Sequence, residues 1–389
     1  MKRKAAAVGL AIMLAFSVLT GCAASGNSTE SKKNDAQSET TEMTDTQSET
    51  EEVTDTQSEA EKTTVTLTDN AGREVELSVP VDRAVCALRY NNELIRACGA
   101  IDHIISVDMN TAQDREYWGM FNPEQVIGKS QKELDYEKIV ELNPELVILP
   151  ANGVYEEAAS KLEPFGIKVF VISGYETADF KNQTENIGKI FGVEEEAKEF
   201  YDYFNGKLEY IKTQLKDVPK KKVYFETTGT LKTVLQGDPM FDMVAYAQVE
   251  NIFAVNNENI SSSEVDSEEV IERNPDAIVK LVTPAEALSG TGLYTPPTKE
   301  EFKTAYDEIV NRAGWDSIQA VQDDAIYFMT QFSHGGASKL VGTCYIAKML
   351  YPDELSELNP DEVFRAWMED FQGFKNVDGH FFSGKDFHE

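Results

Sequence analysis

From Thr63 onward, short apolar runs alternate with stretches whose apolar residues recur every three or four positions. Val65-Thr66-Leu67-Thr68 and Arg73-Glu74-Val75-Glu76-Leu77 alternate apolar with polar around Asp69-Asn70-Ala71-Gly72, which predicts a hairpin. Runs at 84–88, 104–107, 146–149 and 168–172 predict strands, with helices expected over 91–98, 136–142 and 155–165. After Lys220 the pattern resumes with strands at 223–226, 277–281 and 325–329. Between the halves, Ala197, Phe200, Tyr201, Phe204, Leu208, Ile211 and Leu215 share one helical face. They predict a single helix over about 194–216, about 35 Å long and too stiff for wide opening. Strands separated by helices indicate βαβ units and parallel sheets. A globular part of roughly 325 residues exceeds one ordinary core and suits two α/β lobes.

The N-terminus is different material. Met1-Lys2-Arg3-Lys4 precedes an apolar run from Ala5 to Leu19, the pattern of a secretory signal and too short for a membrane span. Leu19-Thr20-Gly21-Cys22 resembles a bacterial lipobox, so Cys22 is expected to carry lipid and anchor the chain at the membrane. Residues 23–62 contain no aromatic residue and repeat Asp35-Ala36-Gln37-Ser38-Glu39 as Asp45-Thr46-Gln47-Ser48-Glu49 and Asp55-Thr56-Gln57-Ser58-Glu59. Such a segment buries too little apolar surface to offset its ordering entropy and reads as a tether. The expected organisation is a signal peptide at 1–22, a tether at 23–62, a first lobe at 63–192, a connecting helix at 193–217, and a second lobe with a tail at 218–389.

A net charge of −32 argues against nucleic acid as a partner. Beyond Cys22, the cysteines Cys86, Cys98 and Cys344 match no metal spacing and read as buried thiols, a Cys86–Cys98 disulfide staying open.

The segment Tyr136-Glu137-Lys138-Ile139-Val140-Glu141-Leu142-Asn143-Pro144-Glu145 is echoed by Ser267-Glu268-Glu269-Val270-Ile271-Glu272-Arg273-Asn274-Pro275-Asp276, and a strand follows each copy. Proline ends the helix before the strand. On physics alone, Glu137 and Glu268 favour the positive end of a helix dipole. The doubled motif, the lipobox and the connecting helix together resemble the periplasmic binding proteins for ferrisiderophores, haem and cobalamin, over 63 to about 373. The resemblance implies an α/β fold of two Rossmann-like lobes joined by one long α-helix, the class III arrangement. It implies a monomeric, extracytoplasmic binding protein with no catalysis and no cofactor of its own. Its ligand would be an iron complex (ferrisiderophore or haem) or a corrinoid. Its partner would be an ABC permease dimer with its ATPase, docked through Glu137 and Glu268.

Ligands of open α/β sheets bind beyond the carboxyl ends of the strands. That rule selects Arg89, Tyr90, Asn152, Tyr155, Tyr175, Thr228, Phe332 and His334, with Trp118 and Tyr294 added from longer loops. The aromatics are expected to form flat walls for a large, partly apolar ligand, and Arg89 to pair with a carboxylate or chelator oxygen. His334 reads as an axial ligand to haem iron or cobalt or, preferably, as a loop histidine in a turn shaped by Gly335 and Gly336. Free zinc or manganese would need clustered histidines, yet the chain has only His103, His334, His380 and His388, the last two in the tail. No nucleophile-elbow, Glu-x-x-His or phosphate-loop motif favours an enzyme.

Overall fold

The computed structural model describes residues 62–236, 238, 240–253, 263–284, 292 and 295–388, all within the compact unit Glu59–Glu389. Cys22, the signal peptide and the tether up to residue 61 lie outside the described residues, as does Tyr294.

The first lobe opens with an antiparallel hairpin, β1 (Thr63–Thr68) and β2 (Glu74–Val79). Its sheet consists of β3 (Ala84–Cys86), β4 (Ile104–Val107), β7 (Leu146–Leu149) and β8 (Lys168–Val171) in the order β4-β3-β7-β8, all parallel. A small hairpin, β5 (Gly128–Ser130) with β6 (Glu133–Leu134), sits between them in sequence. The helices are α1 (Arg89–Ala97), the short α2 (Met109–Ala112), α3 (Tyr136–Leu142), α4 (Tyr155–Leu162) and α5 (Phe180–Phe191). Helix α6 (Glu194–Gln214) then runs for 21 residues, about 32 Å at 1.5 Å per residue.

The second sheet is ordered β10-β9-β11-β12-β13, from β9 (Lys222–Glu226), β10 (Glu250–Asn251), β11 (Ala277–Val282), β12 (Ile326–Thr330) and β13 (Phe381–Ser383). Its helices are α7 (Phe241–Tyr246), α8 (Ser267–Arg273), α9 (Lys299–Val310), α10 (Gln319–Gln322), α11 (Lys339–Leu350) and α12 (Pro360–Ala366). Four of these strands are parallel; β13 pairs antiparallel with β12. The last residues are therefore a sheet edge, not a tail, and His380 just before β13 is buried against Phe332 and Phe364.

Strand alternation divides the core. In the first lobe Val85, Val147, Leu149 and Val169 pack on one face, and Ala84, Cys86, Leu146, Ile148 and Phe170 on the other. The second group belongs to one apolar cluster that also holds Val223, Phe225, Val279 and Leu281 of the second sheet and Phe200, Phe204 and Ile211 of α6. The four- and five-stranded sheets are separate, yet their inner faces share a core. Two separate cores were the expectation; α6, α11 and α12 contribute Phe200, Val341 and Phe364 to the same apolar cluster, which makes it continuous. Cys86, Cys98 and Cys344 are free, buried thiols. Among the described residues no helix is long and apolar enough to cross a membrane.

Candidate functional site

In the first lobe the strand ends are bound together by buried side chains. Asn91, fully buried at the start of α1, donates to the Ile172 carbonyl at 2.7 Å and accepts from Gly174 N at 2.8 Å. It thereby ties α1 to the turn after β8. Ser173 Oγ accepts from Ala151 N at 3.0 Å, joining that turn to the end of β7. Tyr175 is half-buried there, bonded to the Ser173 hydroxyl and the Asn152 backbone, and burial pushes its phenol up. Arg89 and Tyr90 are the first residues of α1 rather than a loop, since Leu88 already makes the turn with φ 84°. The Arg89 guanidinium lies 5.1 Å over the Tyr90 ring, and its Nε is 3.9 Å from the buried Glu93 carboxylate.

The second lobe presents the ends of β9, β11 and β12. Lys280, inside β11, donates to the Thr227 carbonyl at 2.7 Å and pairs with Glu226 at 2.9 Å, shaping the turn whose tip is the exposed Thr228. Thr283 Oγ1 donates to Gln331 Oε1 at 3.2 Å across the ends of β11 and β12. The two rims meet directly. Gly335 and Gly336 lie on the Tyr90 ring so closely that a Cβ at 335 would collide with it. Lys339, fully buried at the start of α11, crosses to the Tyr175 carbonyl at 2.5 Å and stands 3.4 Å from Asp242. Burial draws the Lys339 ammonium down from its usual range, against the pull of Asp242. Thr177 Oγ1 adds a 3.2 Å bond to Asp242, and Tyr117 reaches Gln372 at 2.9 Å.

The expected aromatic walls divide accordingly. Tyr90 meets the other lobe with its ring, and Tyr175 with its backbone carbonyl. Trp118 does not: it is fully buried, with the Arg96 guanidinium 3.8 Å over its ring. Phe332 is likewise core, packed on Phe364 and His380 at 5.7 and 5.4 Å. One face of Tyr155 is covered by the Arg73 guanidinium at 5.0 Å. Asn152 is exposed beside Tyr175. The backbone of His334 forms part of the turn Gln331–His334 after β12, and its side chain lies outside the described residues. Sequence reasoning missed Asn91, Lys339 and Thr283. Thr283 follows β11 directly and the strand-end rule would have found it; Lys339 carries no local signal.

Glu137 and Glu268 are exposed, in the first turns of α3 and α8, one helix beside each sheet. Their surroundings match beyond the motif. Asp135 and Asp266 cap the two helices, accepting from Lys138 N and Glu268 N at 2.9 Å each. Asn143 and Asn274 end them at φ 47° and 43°. Among the described residues no group of three or more His, Cys, Asp or Glu side chains is placed to hold a metal ion.

Two α/β lobes on one helical spine, meeting at their strand ends, define a two-lobed solute receptor. The chain belongs to the periplasmic binding protein family, whose model matches residues 92–331. That family supplies substrate-binding components of transporters rather than enzymes and works outside the cytoplasm. The chain is 21% identical over 224 residues to a vitamin B12-binding protein of Vibrio vulnificus, covering 57% of this chain and 78% of that protein. Among solved structures it resembles a TroA-like periplasmic binding protein, FepB, of Veillonella parvula, with TM-score 0.66 and 19% identity over 82% of this chain and 99% of that one. It also resembles the molybdate-binding protein MolA of Haemophilus influenzae, with TM-score 0.60 and 19% identity over 80% and 99% of the two chains. These likenesses establish the class III fold.

Proposed function

We propose that this protein is the lipid-anchored, extracytoplasmic receptor of an ABC importer. It captures an iron complex (ferrisiderophore or haem) or a corrinoid between its lobes and delivers it to a permease dimer driven by its ATPase. The observation that carries this reading is the pairing of strand ends that face each other across the lobes at Tyr90 and Tyr175 with two matched acidic helix starts, Glu137 and Glu268, one beside each sheet. Two separated anionic points fix the orientation of a two-lobed body on a two-fold partner. The similarity to vitamin B12-binding proteins supports the corrinoid arm.

Isothermal titration against haem, cyanocobalamin and ferrioxamine tests the cargo; heat from none of them removes this ligand class. Glu137→Ala combined with Glu268→Ala should abolish uptake while leaving ligand affinity within about twofold. Normal uptake in that double variant would remove the docking role. Cys22→Ser should move the protein from the membrane to the soluble fraction.

A further inference from the structure

We propose that Asp108 is a positioning residue for the contact between the lobes, holding the Leu88 backbone in the turn that delivers Tyr90 to the second lobe. The proposal rests on the ligand binding between the lobes at this contact. Leu88 has φ 84° and ψ 121°, a conformation that L residues with a side chain adopt only when their surroundings impose it. Two fully buried side chains impose it here. Leu88 N donates to Asp108 Oδ1 at 3.1 Å, and Asn92 Nδ2 donates to the Leu88 carbonyl at 3.1 Å. Thr111 Oγ1 donates to the same Asp108 oxygen at 2.6 Å and sets the direction of the carboxylate.

The consequence lies in the next two residues. Helix α1 starts at Arg89, so the torsion at Leu88 decides where the first turn of α1 points. Tyr90 in that turn carries the contact with Gly335 and Gly336. Without the Asp108 acceptor, Leu88 relaxes toward negative φ, the start of α1 rotates, and Tyr90 leaves the glycines. A merely structural Asp108 would affect melting and nothing else. Glycine at position 88 separates the two cases, because it holds positive φ without a Cβ penalty.

The test uses crystal structures of the ligand-free protein and titration with haem, cyanocobalamin and ferrioxamine. In Asp108→Ala, residue 88 should turn to negative φ, Tyr90 should lose Gly335, and affinity for whichever probe the wild type binds should fall about tenfold or more. Asp108→Asn keeps the acceptor oxygen and should keep both the contact and the affinity. Asp108→Ala combined with Leu88→Gly should restore the contact and bring affinity back to within about threefold. An Asp108→Ala structure with φ still positive and Tyr90 still on Gly335 overturns the proposal. If Asp108→Ala does not fold, the double variant decides: Tyr90 on Gly335 supports the proposal and a displaced Tyr90 overturns it. A wild type that binds none of the probes removes the ligand reading instead, and the crystallographic comparison still decides this one.

Discussion

Glu226 is a carboxylate inside the second lobe, with Arg312 bidentate on it at 2.7 and 2.8 Å, Lys280 at 2.9 Å and the Tyr224 hydroxyl at 2.9 Å. Burial alone would push its carboxyl up, but Arg312 and Lys280 outweigh burial and hold it below the usual range. Burial draws Lys280 down in turn, more than Glu226 raises it. Glu226→Ala would strand the buried Lys280 and the largely covered Arg312 and should cost about 3–5 kcal/mol, read as a shift of the urea midpoint. Because the folded pKa is depressed, the Glu226 contribution is complete above the unfolded value near about 4.3 and is lost as pH falls through the folded one. His380 is buried beside Thr330 Oγ1 at 3.0 Å, and burial lowers its imidazole to about 4. The unfolded chain takes that proton near pH 6.5, so stability is full above 6.5 and falls by about 3 kcal/mol on the way to pH 4. Urea unfolding of His380→Asn at several pH values should show that slope flattened.

The two copies of helix, Asn-Pro and strand are the most regular elements of the molecule, and they were legible because their causes are local. An aspartate caps each start, an asparagine takes the left-handed conformation at each end, and proline then forbids further helix. The helix expected over 136–142 is the observed one for that reason. The two asparagines differ in one respect: Asn274 Oδ1 also accepts from Gln319 N at 2.8 Å. Asn143→Gly should therefore leave stability nearly unchanged, while Asn274→Gly should lose about 1 kcal/mol with that bond. Asn143→Val should cost about 1–2 kcal/mol, since a β-branched residue resists positive φ. Thermal melts of the three variants check the order. The start of α1 was not legible. Arg89 and Tyr90 were expected in a loop, and only the Asp108 and Asn92 contacts with Leu88 explain a turn made in one residue.

On the scale of the whole molecule, the shared core and the crossing contacts oppose independent movement of the lobes. Lys339 crosses to the Tyr175 carbonyl, Tyr117 reaches Gln372, and Gln372 donates to the Glu93 carbonyl at 3.0 Å. Trp367 and Phe371 pack on Phe200 of α6 at 6.4 and 5.2 Å, bracing the spine from the second lobe. Lys339→Met keeps the bulk but removes the ammonium from the lobe contact. Small-angle scattering of the ligand-free variant should show a larger radius of gyration than the wild type, and an unchanged radius would count against Lys339 holding the lobes together.

The residues of this chain determined, by themselves, whatever depends on neighbours in sequence. Period-two and three-to-four patterns, capping residues and the doubled Asn-Pro motif set out two α/β halves and the helix between them. Tertiary structure decided which side chains reach the contact between the lobes. Trp118, Phe332 and Tyr90 are equivalent as aromatics near strand ends or loops, yet Trp118 and Phe332 are core and Tyr90 meets the other lobe. The difference lies with partners far along the chain: Arg96 for Trp118, Phe364 and His380 for Phe332, Gly335 and Gly336 for Tyr90. Burial is a property of such pairs, and no window of sequence contains both members.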